Sequence, residues 1–346
     1  MKLADFTTVR LGGPARAFVR AETEDELTDA VRKADAAGER VLILGGGSNL
    51  VVADEGFDGT VIQVATRGVV RDGAPGELTV AAGEEWDGVV ARTVAAGLAG
   101  LECLSGIPGL TGATPMQNVG AYGQEVSDTI TRVRVWDRDA ARVLELPAAE
   151  CGFGYRTSRF RGSPRYVVLS VTFALAVQAR SAPVRYAELA AALGVAPGDQ
   201  VDAAEARAAV IELRQRKGMV VDPADPDTRS AGSFFLNPVL DATAFAGVEA
   251  AARTRCGAGT RVPRYDAGDG LVKVPAAWLI ERSGFTKGYH PGDGARISAK
   301  HTLALVNAGA ASTAALLALA REIRDGVHAA FGVTLTPEPI LVGVTL

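Results

Sequence analysis

The stretch from Arg229 to Pro238, RSAGSFFLNP, sets one hydroxyl between a small-residue pair and an apolar run. Ala231 and Gly232 precede Ser233; Phe234, Phe235 and Leu236 follow, and Asn237-Pro238 ends the run. Two readings fit. Ser233 is the turn serine of a short strand, or it is a proton donor kept in a dry pocket. A hydroxyl is far from the ideal acid near neutral pH, so the second reading needs a strongly basic carbon to receive the proton.

Two glycine-rich stretches are the other chemical candidates. GGGSNL, residues 45–50, directly follows the apolar run VLIL. A dinucleotide fingerprint needs G-x-G-x-x-G entering a long helix. Gly45 and Gly47 fit, but Leu50 holds the third place and Val51-Val52 continue as strand. The stretch reads as a tight turn or as a nest of successive N–H groups for an anion. In the nest, Ser48 and Asn49 add side-chain donors. The second stretch is the loop 105–126, SGIPGLTGATPMQNVGAYGQEV. Structureless loops of that length are uncommon unless functional. Small residues let a flat ligand lie on backbone amides. Together the loops point to a large ligand with both a pyrophosphate and a ring.

Composition narrows the class. The chain has 346 residues, 48% hydrophobic and 22% charged, so it is globular and long enough for about two or three domains. Net charge is −4 and no dense Lys/Arg stripe occurs, which argues against a nucleic-acid partner. Cys103, Cys151 and Cys256 are far apart and odd in number, which gives no disulfide framework or paired metal site. His290, His301 and His328 lack the i, i+4 spacing of a zinc helix. The N-terminus, MKLADFTTVRLGG, has no apolar signal core, and no run reaches the roughly 18 residues of a membrane span. The expectation is a reduced, cytoplasmic protein without metal and without a membrane or nucleic-acid partner.

Local patterns then place the candidates. Residues 16–20 form a strand, and Thr23 with Glu26 makes a capping box for a helix through Leu27, Ala30, Val31 and Ala34. VLIL is a buried strand running into GGGSNL. Residues 77–83 form another strand, followed by a short helix from Trp86 to Ala96. Residues 132–139 and 166–175 alternate as strands, and 176–200 look peripheral. A helix spans 202–215, and the turn-rich VVDPADPDTRSAG marks a domain boundary. The last helix follows Ser312, with Leu316, Leu319, Ile323, Val327 and Phe331 on one face; strands end the chain.

The motifs ILGGGSNLVVAD, SGIPGLTGATPMQNVGAYG, CGFGYRTSRF, AGSFFLNP and TPEP occur in this order over nearly the whole chain. In that order they resemble the UDP-N-acetylenolpyruvoylglucosamine reductase family. The resemblance implies an α+β fold with an FAD-binding two-subdomain part of the vanillyl-alcohol-oxidase (PCMH) type and a C-terminal α+β substrate domain. Its expected divisions are 1–66, joined by strands from 333–346, then 67–217, then 218–332. It implies a flavoprotein of peptidoglycan synthesis that takes electrons from NADPH and yields UDP-N-acetylmuramate. FAD would be held non-covalently by Gly45, Gly46, Gly47, Ser48, Asn49 and Leu50, and by Gly106, Ile107, Pro108, Gly109, Gly112, Ala113, Thr114, Gln117, Asn118, Gly120 and Ala121. Ser233 matches the proton donor; Arg156 and Glu338 match the residues flanking the enolpyruvyl group. Tyr155, Tyr186, Lys217 and Asn237 match substrate positions, with Tyr186 over the nucleotide and Lys217 at the pyrophosphate. The expected partners are the UDP-sugar and NADPH, and the expected state is a monomer. Leu236 stands where many members carry a basic residue, and the His301 region aligns loosely, so His301 is given no catalytic role.

The chemistry suits these residue types. Arg156 offers a permanently charged planar fork to a carboxylate; the bland alternative is a solvated arginine among Arg159, Arg161 and Arg165. Glu338 lies between Pro337 and Pro339, which stiffen its backbone in an extended form; it is otherwise a strand-edge glutamate. Two rivals explain the glycine loops. One is an FAD oxidase or dehydrogenase acting on alcohols or hydroxy acids, often with a His or Cys tether; the other is a non-catalytic flavin or UDP-sugar binder. Neither gives AGSFF and TPEP a purpose.

Overall fold

The computed structural model describes residues 1–71, 73–292 and 294–346. These pack as two units: Met1 with Ala15–Gly47 and Phe57–Val220, and Lys2–Pro14 with Ser48–Gly56 and Val221–Leu346.

The first unit begins with a three-stranded sheet. Strands Ala15–Ala21 and Val41–Leu44 both run parallel to the central strand Phe57–Val64. The helix Glu24–Ala36 connects the two outer strands. It starts where expected: Thr23 Oγ1 accepts from the Glu26 N–H at 3.1 Å, and the Glu26 carboxylate accepts from the Thr23 N–H at 3.3 Å. Such a cap contributes ~1 kcal/mol. Leu27 and Val31 on its inner face join Ile62 in a core shared with the unit's second sheet.

That sheet is antiparallel and has five strands, in the order Arg142–Pro147, Ile130–Asp137, Tyr166–Ala174, Glu77–Ala81, Val69–Val70. The helix Trp86–Ala95 packs its Trp86, Val89 and Val90 into the same core. Residues 176–200 are less peripheral than their composition suggests. They contain the helix Ala187–Leu193, whose Leu189 and Ala190 are buried with Val184 against Ala206, Val210 and Leu213 of the helix Ala203–Arg216.

In the second unit, Ala304–Asn307 is the middle strand between Ser230–Ser233 and Ala295–Ile297. The helices Ala242–Cys256, Ala276–Arg282 and Thr313–Phe331 build one core around it. Ser312 Oγ accepts from the Ala315 N–H and caps the last helix, as its sequence implied. The chain end, Ile340–Val342, runs parallel to Leu50–Val52, a strand from within residues 1–66, and both pack in this unit. The N-terminal arm belongs here too: the Asn307 amide donates to the carbonyls of Val9 and Arg10, and the Gly13 N–H to that of Ala53. The unit is therefore stitched from both chain ends.

Candidate active site

Ser233 owes its direction to a bulge. Opposite the strand Ala304–Asn307, Ser230 faces Val306 and Ser233 faces Ala304, with a register shift between the pairs. An extra residue in one strand bends it and re-aims the side chains beyond. Gly232 makes the bend, with φ +76°, a left-handed conformation that side chains with a Cβ resist. Its N–H donates to Ser230 Oγ at 3.3 Å. Beyond the bulge the Phe234 N–H rejoins Leu303 O at 2.7 Å. Phe234 and Phe235 are each 1% exposed, and their rings meet edge to face at 5.2 Å. Ser233 itself stays partly exposed. The hydroxyl thus sits where a buried aromatic wall begins.

The chain terminus lies along this wall. The Leu236 N–H donates to Thr336 O at 3.0 Å, Phe235 bridges Pro337, and the Glu338 N–H donates to Phe234 O at 2.9 Å. Thr336, Pro337 and Glu338 therefore run antiparallel to Phe234–Leu236 and bring Glu338 level with the residue after Ser233. The Ile340 N–H in turn donates to Asn49 O at 2.9 Å. Asn49, expected in cofactor binding, is tied to the same junction. Asn237 has a structural task that its assignment to substrate did not foresee: its Oδ1 accepts from the Ala276 N–H at 2.9 Å, at the start of the helix Ala276–Arg282. Helix-initial N–H groups lack partners within the helix.

GGGSNL is divided between the two units: Gly45, Gly46 and Gly47 pack in the first, and Ser48, Asn49 and Leu50 in the second. In the first unit the two glycine stretches touch through backbone. A Cβ on Gly46 would lie 2.8 Å from the Gly109 Cα, so only glycine fits. The Gly109 region is fixed from below: Gly109 O accepts from the Trp86 N–H at 3.1 Å, and the Thr111 and Gly112 N–H groups donate to Glu84 O and Ala82 O at 2.9 Å each. Thr114 Oγ1 closes the next turn onto Thr111 O at 2.8 Å, capping the short helical turn that includes Gly112 and Ala113. Ile107 and Ala121 pack against the core, while Pro108 and Gln117 remain partly exposed. A floor of braced, side-chain-poor backbone suits a flat cofactor.

Asn118 is nearly buried and adopts φ +46°. Its Nδ2 donates to Glu125 at 2.8 Å and to Gly154 O at 3.1 Å, and its Oδ1 accepts from the Ser127 N–H at 3.1 Å. The side chain therefore shapes the loop. Arg156 does likewise. At φ +51° it directs its guanidinium onto the carbonyls of Asn118 and Gly120, with Glu125 at 3.7 Å. Its side chain is 18% exposed, and its guanidinium lies 5.5 Å from the Tyr155 ring centre. Arg156 is thus no solvated surface arginine.

Tyr186 and Lys217, expected at the nucleotide and pyrophosphate, come together around Tyr122. The strands Gly120–Ala121 and Gln124–Glu125 form a hairpin whose turn residues, Tyr122 and Gly123, both have positive φ. Tyr186 meets the Tyr122 ring edge-on at 5.6 Å, and Lys217 Nζ lies 5.7 Å above it. Lys217 also donates to Glu188 at 2.6 Å. Burial pushes the Tyr122 phenol up to about 12, so it is a neutral hydroxyl.

A charged cluster under Gly106 escaped the sequence reading. The Gly106 N–H donates to Asp87 Oδ1 at 2.6 Å, and Arg207 grips the same carboxylate at 2.6 and 2.8 Å. Burial opposes ionisation of Asp87, but the Arg207 bonds and the Gly106 N–H hold its carboxyl below the usual range. Arg214 lies beside them. Asp87 and Arg207 belong to no local motif, because they pair across 120 residues of chain. Cys103, at the foot of the same loop, is buried, and burial pushes its thiol up to about 12. Such a thiol is a poor nucleophile for tethering a cofactor.

Comparison with known proteins places the chain among flavin-binding reductases. Residues 15–146 match the FAD binding domain family, and residues 222–342 match the C-terminal domain family of UDP-N-acetylenolpyruvoylglucosamine reductase. The reductase of that name from Saccharopolyspora erythraea is 60% identical over 99% of this chain and 95% of its own. The one from Thermobifida fusca is 57% identical over 99% and 97%. A crystal structure of the reductase from Thermus caldophilus superposes with TM-score 0.66 at 26% identity, covering 99% of this chain and 97% of that one.

Proposed function

The chain belongs to the UDP-N-acetylenolpyruvoylglucosamine reductase family, and from that premise we propose how its residues divide the reaction. It is an FAD-dependent oxidoreductase that reduces the enolpyruvyl ether of UDP-N-acetylglucosamine enolpyruvate to UDP-N-acetylmuramate in peptidoglycan precursor synthesis. NADPH as electron donor, the cytoplasm as compartment and a monomeric state belong to our reading and rest on the family resemblance.

FAD, held by the two glycine stretches, would supply the one chemistry this chain's side chains lack, hydride transfer between the nicotinamide and the terminal methylene carbon of the substrate. Every other role falls to side chains. Hydride addition leaves an electron pair on the neighbouring carbon, delocalised into the carboxylate. Arg156 holds that carboxylate with a fixed positive charge, which in a water-poor site is worth more than in solution. Ser233 gives its proton to the neighbouring carbon and completes the saturated lactyl ether. Glu338, in its protonated form, donates a hydrogen bond to the developing oxyanion, as carboxyl groups in dry sites can. Lys217 and Tyr186 hold the nucleotide, Lys217 exchanging Glu188 for a phosphate oxygen. Tyr155 and Asn237 line the sugar side.

The observation that carries this reading is the pairing of Glu338 with Phe234 beside the Gly232 bulge. It gives AGSFF and TPEP, distant in sequence, one purpose. The test is NADPH oxidation by the purified yellow protein. Oxidation that depends on the enolpyruvyl UDP-sugar, with FAD released on denaturation, is the expected result. Turnover with simple alcohols or hydroxy acids in its place would support the oxidase rival instead.

A further inference from the structure

Arg214 is a buried cation whose partner set is incomplete. It occupies the last turn of the helix Ala203–Arg216. One terminal nitrogen donates to Met219 O at 2.9 Å, but Nε is buried without a hydrogen-bond partner. Burial draws this guanidinium down to about 10, offset in part by Tyr122 and Asp87. Neither group neutralises it. Tyr122 is an un-ionised phenol, and Asp87 is already held by Arg207 and the Gly106 N–H. A charge left this way costs several kcal/mol unless something arrives to share it. The place is informative: a Cβ on Gly106 would lie 3.6 Å from Arg214 Nε, so the cation borders the backbone of the second glycine loop.

We propose that Arg214 is the cation that stabilises the negative charge the bound FAD acquires on reduction, and so sets its midpoint potential. This rests on the reading of 105–121 as a cofactor loop. A fixed positive charge in a low-dielectric site favours the reduced, anionic ring over the neutral oxidised one. Arg207, fully engaged with Asp87, leaves Arg214 to face the cofactor rather than that carboxylate. Both serve one loop: Asp87 and Arg207 position it, and Arg214 supplies its charge.

The experiment is spectroelectrochemical titration of the FAD-loaded protein, with oxidised-FAD affinity measured in parallel by fluorescence. In Arg214→Met, oxidised FAD binds within about threefold of wild type, while the reduced-to-oxidised affinity ratio falls at least tenfold, lowering the midpoint by ~30 mV or more. Arg214→Lys keeps the charge and restores most of the potential. Wild type alone gives a second readout that needs no variant: an anionic reduced flavin takes up one proton with two electrons, so its midpoint falls by ~30 mV for each tenfold drop in proton activity. An unchanged potential in Arg214→Met, or twice that slope in wild type, overturns the inference. A wild-type protein that binds no FAD overturns the cofactor reading itself, which is a separate failure.

Discussion

The Glu338 N–H donates to the carbonyl of Phe234 at 2.9 Å, which sets the carboxylate-bearing residue of the chain terminus one position past Ser233. The bond is made by backbone, so the pairing survives removal of either side chain. Glu338→Ala therefore leaves the fold intact and reports on chemistry. Its expected effect is a kcat lower by about 10²–10³-fold, as for loss of one oxyanion donor. FAD content and the rate of FAD reduction by NADPH stay at wild-type values. Rapid mixing with each substrate separately distinguishes the two half-reactions.

The bulge at Gly232 is tested by Gly232→Ala. No atom lies within 4 Å of the added Cβ, so the cost is conformational, from φ +76°. It amounts to ~1–2 kcal/mol of stability, read from urea unfolding. Turnover falls more than stability does, because a strand that relaxes towards regular register turns Ser233 away from its place. Equal stability and equal turnover would show that the bulge has no role in aiming the hydroxyl.

Much of this site was legible in the residues, and the remainder was hidden for physical reasons. Thr23 with Glu26, and Ser312 before the final helix, are local signals, and both caps form as read. AGSFF singles out Ser233 because small residues before an aromatic pair are chemically odd. The bulge itself depends on pairing with Ala304–Asn307, some seventy residues on, which no local period carries. The helix Ala242–Cys256 buries only Phe245, Val248 and Ala252 along its length, a stripe too thin to stand out in an alanine-rich run. Tyr122 and Asp87 owe their importance to neighbours on other elements: Tyr186 and Lys217 for one, Gly106 and Arg207 for the other.

Loop positioning by Asp87 leads to a binding prediction. Asp87→Ala releases the Gly106 N–H and leaves Arg207 without its carboxylate. Hydrogen bonds to charged groups contribute ~1.5–3 kcal/mol, so FAD affinity falls by about tenfold or more. Isothermal titration of the apoprotein with FAD measures it. Affinity equal to wild type would mean that the loop holds its shape unaided.

A pH prediction comes from Asp137, at the end of the strand Ile130–Asp137. The Arg165 bonds at 2.9 and 2.6 Å hold its carboxyl below the ordinary range, with further help from the Ala140 and Asp139 N–H groups. A depressed carboxyl contributes stability that is complete above the unfolded-state value, about 3.9. That contribution is lost as pH falls through the lower folded-state value. Asp137→Asn therefore lowers Tm at pH 7, and the gap to wild type narrows below about pH 4. A gap that widens in acid would reverse the assigned sign.

Proton delivery by Ser233 is the claim on which the whole account depends, and Ser233→Ala in a two-stage stopped-flow measurement tests it most directly. In the first stage NADPH reduces the bound FAD, and the variant is expected to match wild type. In the second the reduced enzyme meets the enolpyruvyl UDP-sugar, and product formation is expected to slow by about 10²–10⁴-fold. Wild-type product formation in the variant would contradict the account outright.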